Sequence, residues 1–167
     1  MDADEPGWPI IDDFFRTEAE GRAAATVRRY AAVRLRLYAF LDTADMTLGL
    51  GTHPADLLEA ERQFHTSGAF WTLFGPDELV CCLPSFVHET WLPSGLADAR
   101  AQVSLAGRLL THLGQRPELD RQAVSCAMYE AQDAVARARR ALGRRAEGPA
   151  EQPRMPDRFL QPPGDVW

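Results

Sequence analysis

The sequence predicts an all-α fold, a compact helical bundle, on three observations. Valine and isoleucine together number 10, against 44 for alanine and leucine. The second pair favours helices where the first favours strands. Apolar residues recur at steps of three and four, the period of one helix face. Glycines and prolines fall between those segments, where helices start and stop.

The elements follow in order. Pro9 suits the first turn of a helix over about residues 10–20, with Ile11, Phe14 and Phe15 on one side. Gly21 breaks it. A long helix over about residues 22–42 sends Val27, Tyr30, Val33, Leu37 and Leu41 to the core and ends before Gly49 and Gly51. Pro54 opens a third helix with Leu57, Leu58, Glu61 and Phe64 at helical spacing. Beyond Ser67-Gly68 lies a short apolar stretch, Phe70, Trp71, Leu73 and Phe74, expected to be buried. The aromatic residues from Phe64 to Trp91 are expected in the core; any left exposed would form a docking patch. Gly75-Pro76 starts a segment that Pro84 kinks or divides and Pro93 ends. Ser94 is the expected cap of the next helix, whose Leu96, Ala99, Val103, Ala106, Leu110 and Leu113 form one apolar face. Gly114 ends it, and Pro117 and Glu118 open a last, Ala-rich helix to about residue 145. The expected division is a flexible N-terminus over 1–8, a helical domain over 9–115, the last helix over 116–145, and a Pro-rich, disordered tail over 146–167.

The net charge of −6 hides a segregation. All 18 basic residues are Arg; there is no Lys. Residues 1–20 are acidic, 21–41 carry five Arg and no acid, 42–98 carry nine acids and one Arg, and 99–145 carry nine Arg and four acids. The acidic total disfavours a purely non-specific nucleic-acid coat. The two basic segments are where an anionic partner would bind. Arg22, Arg29 and Arg36 are seven apart, so on a helix they form one stripe about 21 Å long. Arg28 lies off that stripe. Arg34 falls among apolar positions and either snorkels or meets Asp12 or Asp13.

No stretch approaches the roughly 18 apolar residues of a membrane span, so no membrane partner is expected. The acidic first residues do not read as a signal peptide. Three cysteines, two of them adjacent, fit a reduced, cytoplasmic protein. The four histidines have no zinc-ligand spacing. Gly49-Leu50-Gly51 lacks a third glycine and a phosphate-binding Lys. Ser85 and His88 lack the surroundings of a hydrolase triad. No cofactor, metal or catalytic residue is expected, and the chain is read as not an enzyme.

One set of residues carries a resemblance. Pro9-Ile10-Ile11-Asp12-Asp13-Phe14-Phe15, then Gly21-x4-Thr26-x3-Tyr30, then Phe40-Leu41-Asp42 resembles the N-terminal core-binding, or SAM-like, domain of tyrosine recombinases and phage integrases. Arg100-x2-Val103-x4-Arg108-Leu109-Leu110-x2-Leu113 is similar to that domain's last helix, so the resemblance covers about residues 9–115. It implies a helical module forming half of a clamp around double-stranded DNA. Thr26 would then meet a phosphate near a helix start. Arg22, Arg28, Arg29 and Arg36 would track the duplex backbone, joined by Arg100 and Arg108. Tyr30 and Phe40 would be core. The Arg, the His-x-x-Arg and the nucleophilic Tyr of a recombinase find no counterpart here, so recombination chemistry is expected to be absent. The alternative is a helical protein-interaction adaptor or homodimer, using the acidic middle, the Ala-rich last helix or the tail.

Overall fold

The computed structural model describes residues 8–65 and 67–147. Of the expected tail over 146–167, residues 146 and 147 belong to α8, and of the expected flexible N-terminus over 1–8, Trp8 opens α1; the rest of both segments lies outside the described residues. Every regular element among the described residues is helical. These are α1 (Trp8–Ala19), α2 (Ala24–Thr43), α3 (Thr47–Leu50), α4 (Thr52–Arg62), α5 (Ala69–Leu73), α6 (Pro76–Phe86), a 3-10 turn (Glu89–Trp91), α7 (Leu96–Gly114) and α8 (Ser125–Glu147).

Local chemistry sets most boundaries. Gly21 has φ +68, a left-handed conformation that suits glycine, and it turns the chain between α1 and α2. Arg22 therefore precedes α2, which starts at Ala24, two residues later than the sequence suggests. The Gly49–Gly51 break contains the single-turn α3. A Cβ on Gly49 would lie 2.7 Å from the Cys81 carbonyl oxygen, so only glycine lets α3 sit this close to α6. Pro84 neither divides nor ends α6, because it falls in the last turn, where the missing N–H costs one hydrogen bond. Ser94 does not cap α7; Gly95 is the N-cap residue and supplies no side-chain bond.

The start of the last helix is the main correction. Pro117 and Glu118 do not open it. Residues 116–124 form turns, and Asp120 Oδ1 accepts from the N–H groups of Gln122 and Ala123 at 3.1 Å each. That local bond competes with helix. Leu119 and Val124 are buried within this stretch, and α8 begins at Ser125.

The helices pair around one core. Asp12 of α1 meets Arg34 and Tyr38 in the second half of α2, so α1 and α2 run antiparallel. In the same way α8 runs back along α7, with Val135 and Arg139 beside Gly107 and Met128 beside Gly114. α6 packs on α3 and on α8, and α2 packs on α7. Phe40 sits at the centre, its ring 5.3 Å from Phe86 and 5.1 Å from Trp91. The apolar face predicted for α7 is buried from Ala99 to Leu113, with Leu96 half-buried at its edge. The alanines of α8 turn inward too: Ala131 and Ala134 are buried and Ala138 packs on the core. Three residues expected to be buried are not, Leu73 at the end of α5 among them. Val27 is exposed, and Phe64 is exposed just past the end of α4.

Candidate nucleic-acid interface

The long basic helix and the second basic segment are brought together, and their side chains divide into two groups. The first group is spent on neighbouring helices. Arg29 Nε donates to Asp98 Oδ1 of α7 at 2.8 Å. Arg36 Nη1 donates to Gln102 Oε1 at 2.8 Å. Gln102 is fully buried, and its amide donates to the carbonyls of Phe86 (2.9 Å) and Trp91 (3.1 Å). Arg108 binds Glu18 of α1 and donates to Tyr30 Oη of α2 at 3.0 Å, its guanidinium lying over the Tyr30 ring. Arg36 and Arg108 thus hold α1, α2 and α7 together, while Arg29 keeps a partly exposed guanidinium at the surface.

The second group faces solvent. Arg28 on α2 and Arg100 on α7 are exposed and have no partner among the described residues. Arg22 is exposed and reaches only the Glu18 carbonyl, at 3.4 Å. Thr26 is the third residue of α2, half-buried. The first turn of α2 holds no acid and no side-chain cap, so its leading N–H groups present a partial positive charge. The Arg29–Asp98 bridge sets this helix start against the first turn of α7, two residues before Arg100. Arg22, Thr26, Arg28 and Arg29 thus lie at or near the start of α2, and the bridge brings the first turns of α7, which carry Arg100, next to it. The expected three-Arg stripe is shortened, because Arg22 is outside the helix and Arg36 is engaged inside.

Charges between α1 and its neighbours neutralise one another. A groove of about 600 Å³ between α1 and α2 is lined by Asp12, Asp13, Arg16, Tyr30 and Arg34. Arg34 meets Asp12 at 3.3 Å, and Arg116 meets Asp13 at 3.1 Å. The Arg16 hydrogen bond, with Arg116 nearby, holds the Asp13 carboxyl below the usual range. Next to them, burial and the Arg116 charge lower the pKa of His112, whose Nε2 accepts from Arg116 Nη2 at 3.0 Å. Burial pushes the Cys82 thiol up to about 12. Among the described residues no cluster of three or more His, Cys, Asp or Glu could hold a metal ion, and no helix is long and apolar enough to cross a membrane.

Partners 66 to 90 residues away were invisible to a reading of helix periods. The one signal for them was Gln102, a polar residue on the apolar side of an otherwise regular amphipathic helix. Comparison with protein-family models, with curated proteins and with solved structures yields no match.

Proposed function

We propose that this chain is a non-catalytic DNA-binding protein that grips the duplex backbone through the corner where α2 and α7 begin. The observation that carries the reading is the uncapped, acid-free start of α2 with Arg28 and Arg100 exposed and unpartnered beside it. Such a corner suits a phosphate: free N–H groups, a hydroxyl and guanidiniums in forked geometry. Arg22 and Arg29 extend the contact along the backbone. Arg36 and Arg108 act as struts behind it. Contacts to phosphates carry no sequence information, so the reading is of backbone binding with weak sequence preference.

The test is a titration of duplex DNA at several salt concentrations, followed by fluorescence anisotropy. Each phosphate contact contributes a slope of about −0.9 in log K against log salt. The double variant Arg28→Ala/Arg100→Ala should reduce the slope by about 2 and weaken binding at every sequence alike. Absence of binding at low salt, or an unchanged slope in that variant, overturns the reading.

A further inference from the structure

The charge blocks of the sequence return as two apolar surfaces bordered by charges of opposite sign. The first is the outer side of α3 and α4. Leu48 is 93% exposed, Leu57 48% and Phe64 81%. Leu57 and Ala60 share one face of α4, and Phe64 follows in the turn just past its end. Exposed Asp45, Asp56 and Glu59 border them. Arg62, the single Arg of residues 42–98, donates to the carbonyls of Leu41 (2.7 Å) and Ala44 (2.9 Å) and also pairs with Glu59 (2.5 Å), so this side sets three acids against one cation. The surface is therefore apolar with an anionic rim.

The second surface is a groove of about 470 Å³ between the end of α6 and the last turns of α8. Val87, Leu92, Ala138 and Ala141 give it apolar walls. Arg137, Arg140 and Arg144 stand along its α8 side, and Glu89 is the one acid among its lining residues. Arg140 and Arg144 have no partner among the described residues, and Arg137 pairs with Asp133 on its own helix. From Arg137 to Arg144 the step is seven residues within α8, so the cationic row is about 10 Å long.

We propose that α4 of one copy of this chain docks into the α6–α8 groove of a second copy. Phe64 and Leu57 would enter the apolar groove while Asp56 and Glu59 face Arg140 and Arg144. α6 packs on α3 and on α8, so each copy carries both halves of the contact on different elements. The association is head-to-tail, and it grows past the dimer or closes into a ring. It uses none of the arginines assigned to DNA and stands whether or not DNA binds.

The experiment is sedimentation of the full chain across protein concentration at about 0.05 M and about 0.5 M salt, since screening shortens from roughly 10 Å at 0.1 M towards 3 Å at 1 M. The wild type should exceed dimer mass at low salt and weaken at least about tenfold at high salt. Asp56→Arg/Ala60→Arg alone and Arg140→Glu/Arg144→Glu alone should be monomeric, with circular dichroism confirming their helices. Mixed one to one, they should associate again, because each retains the native half that the other lost. Phe64→Ser, at an exposed position, should weaken association at least about tenfold without a charge change. A wild type that stays monomeric, a charge variant that associates like wild type, a mixture that stays apart, or an unaffected Phe64→Ser each overturns the proposal. So does loss of association on deleting residues 148–167, which would make that segment the occupant.

Discussion

Gln102→Leu is the sharpest probe of how the basic helix is held. Leu keeps the bulk of the side chain and removes every polar atom. Three hydrogen bonds go with it: the one accepted from Arg36 and the two donated to the Phe86 and Trp91 carbonyls. At about 1 kcal/mol net each they amount to about 3 kcal/mol, and the better burial of Leu returns about 1. The Phe86 carbonyl is left unpaired in a buried place, which adds to the cost. The expected loss is about 2–3 kcal/mol. Urea unfolding followed at 222 nm, with a slope of about 2 kcal/mol/M, would show the midpoint falling by about 1–1.5 M. Arg36→Met should cost about 1 kcal/mol alone and almost nothing on top of Gln102→Leu, because their shared bond is already gone. A midpoint shift below about 0.3 M, or fully additive losses, would refute the strut assignment. In DNA titrations Arg36→Met should leave the salt slope unchanged, which separates a strut from a phosphate contact.

Two further predictions concern titratable groups. His112 has a folded pKa below its ordinary 6.5 because burial and Arg116 disfavour its charge. The unfolded chain therefore binds the extra proton first as pH falls. His112 contributes stability that is complete above pH 6.5 and declines below it, until the folded-state pKa is passed. Melting curves between neutral and mildly acidic pH should slope less in His112→Gln than in wild type; parallel slopes would count against this. The cysteines should differ in reactivity. Cys126 is exposed and should react with a maleimide in the native protein, whereas Cys82, buried and raised to about 12, should react only on unfolding. Mass spectrometry of the labelled peptides decides it.

The fold was legible where one helix supplied its own evidence. The spacing of Ala99, Val103, Ala106, Leu110 and Leu113 defined the buried face of α7, and Gly21 and Gly114 marked real ends. It failed where a local bond outcompeted a helix signal, as at Pro117-Glu118, where the Asp120 turn holds the chain until Ser125. It also failed at Phe64, which falls in the turn after Arg62, the last residue of α4, and is exposed. The candidate site was half legible. The absence of acids between Gly21 and Leu41 was a true local fact, yet Asp98 and Gln102 reach Arg29 and Arg36 from a different helix. Periodicity reports which residues share a face. It carries no information about what a distant segment brings to that face.

The Arg108 junction has a consequence for the order of folding. Its partners Glu18 and Tyr30 lie 90 and 78 residues earlier, and Arg116 reaches back 103 residues to Asp13. Contacts so far apart in the chain close large loops and slow the search. During synthesis the α1–α2 pair must wait for α7 to emerge before Glu18, Tyr30 and Asp13 find these cations. Until then its apolar inner face has no lid, and the nascent hairpin is the stage at which this chain is most open to aggregation.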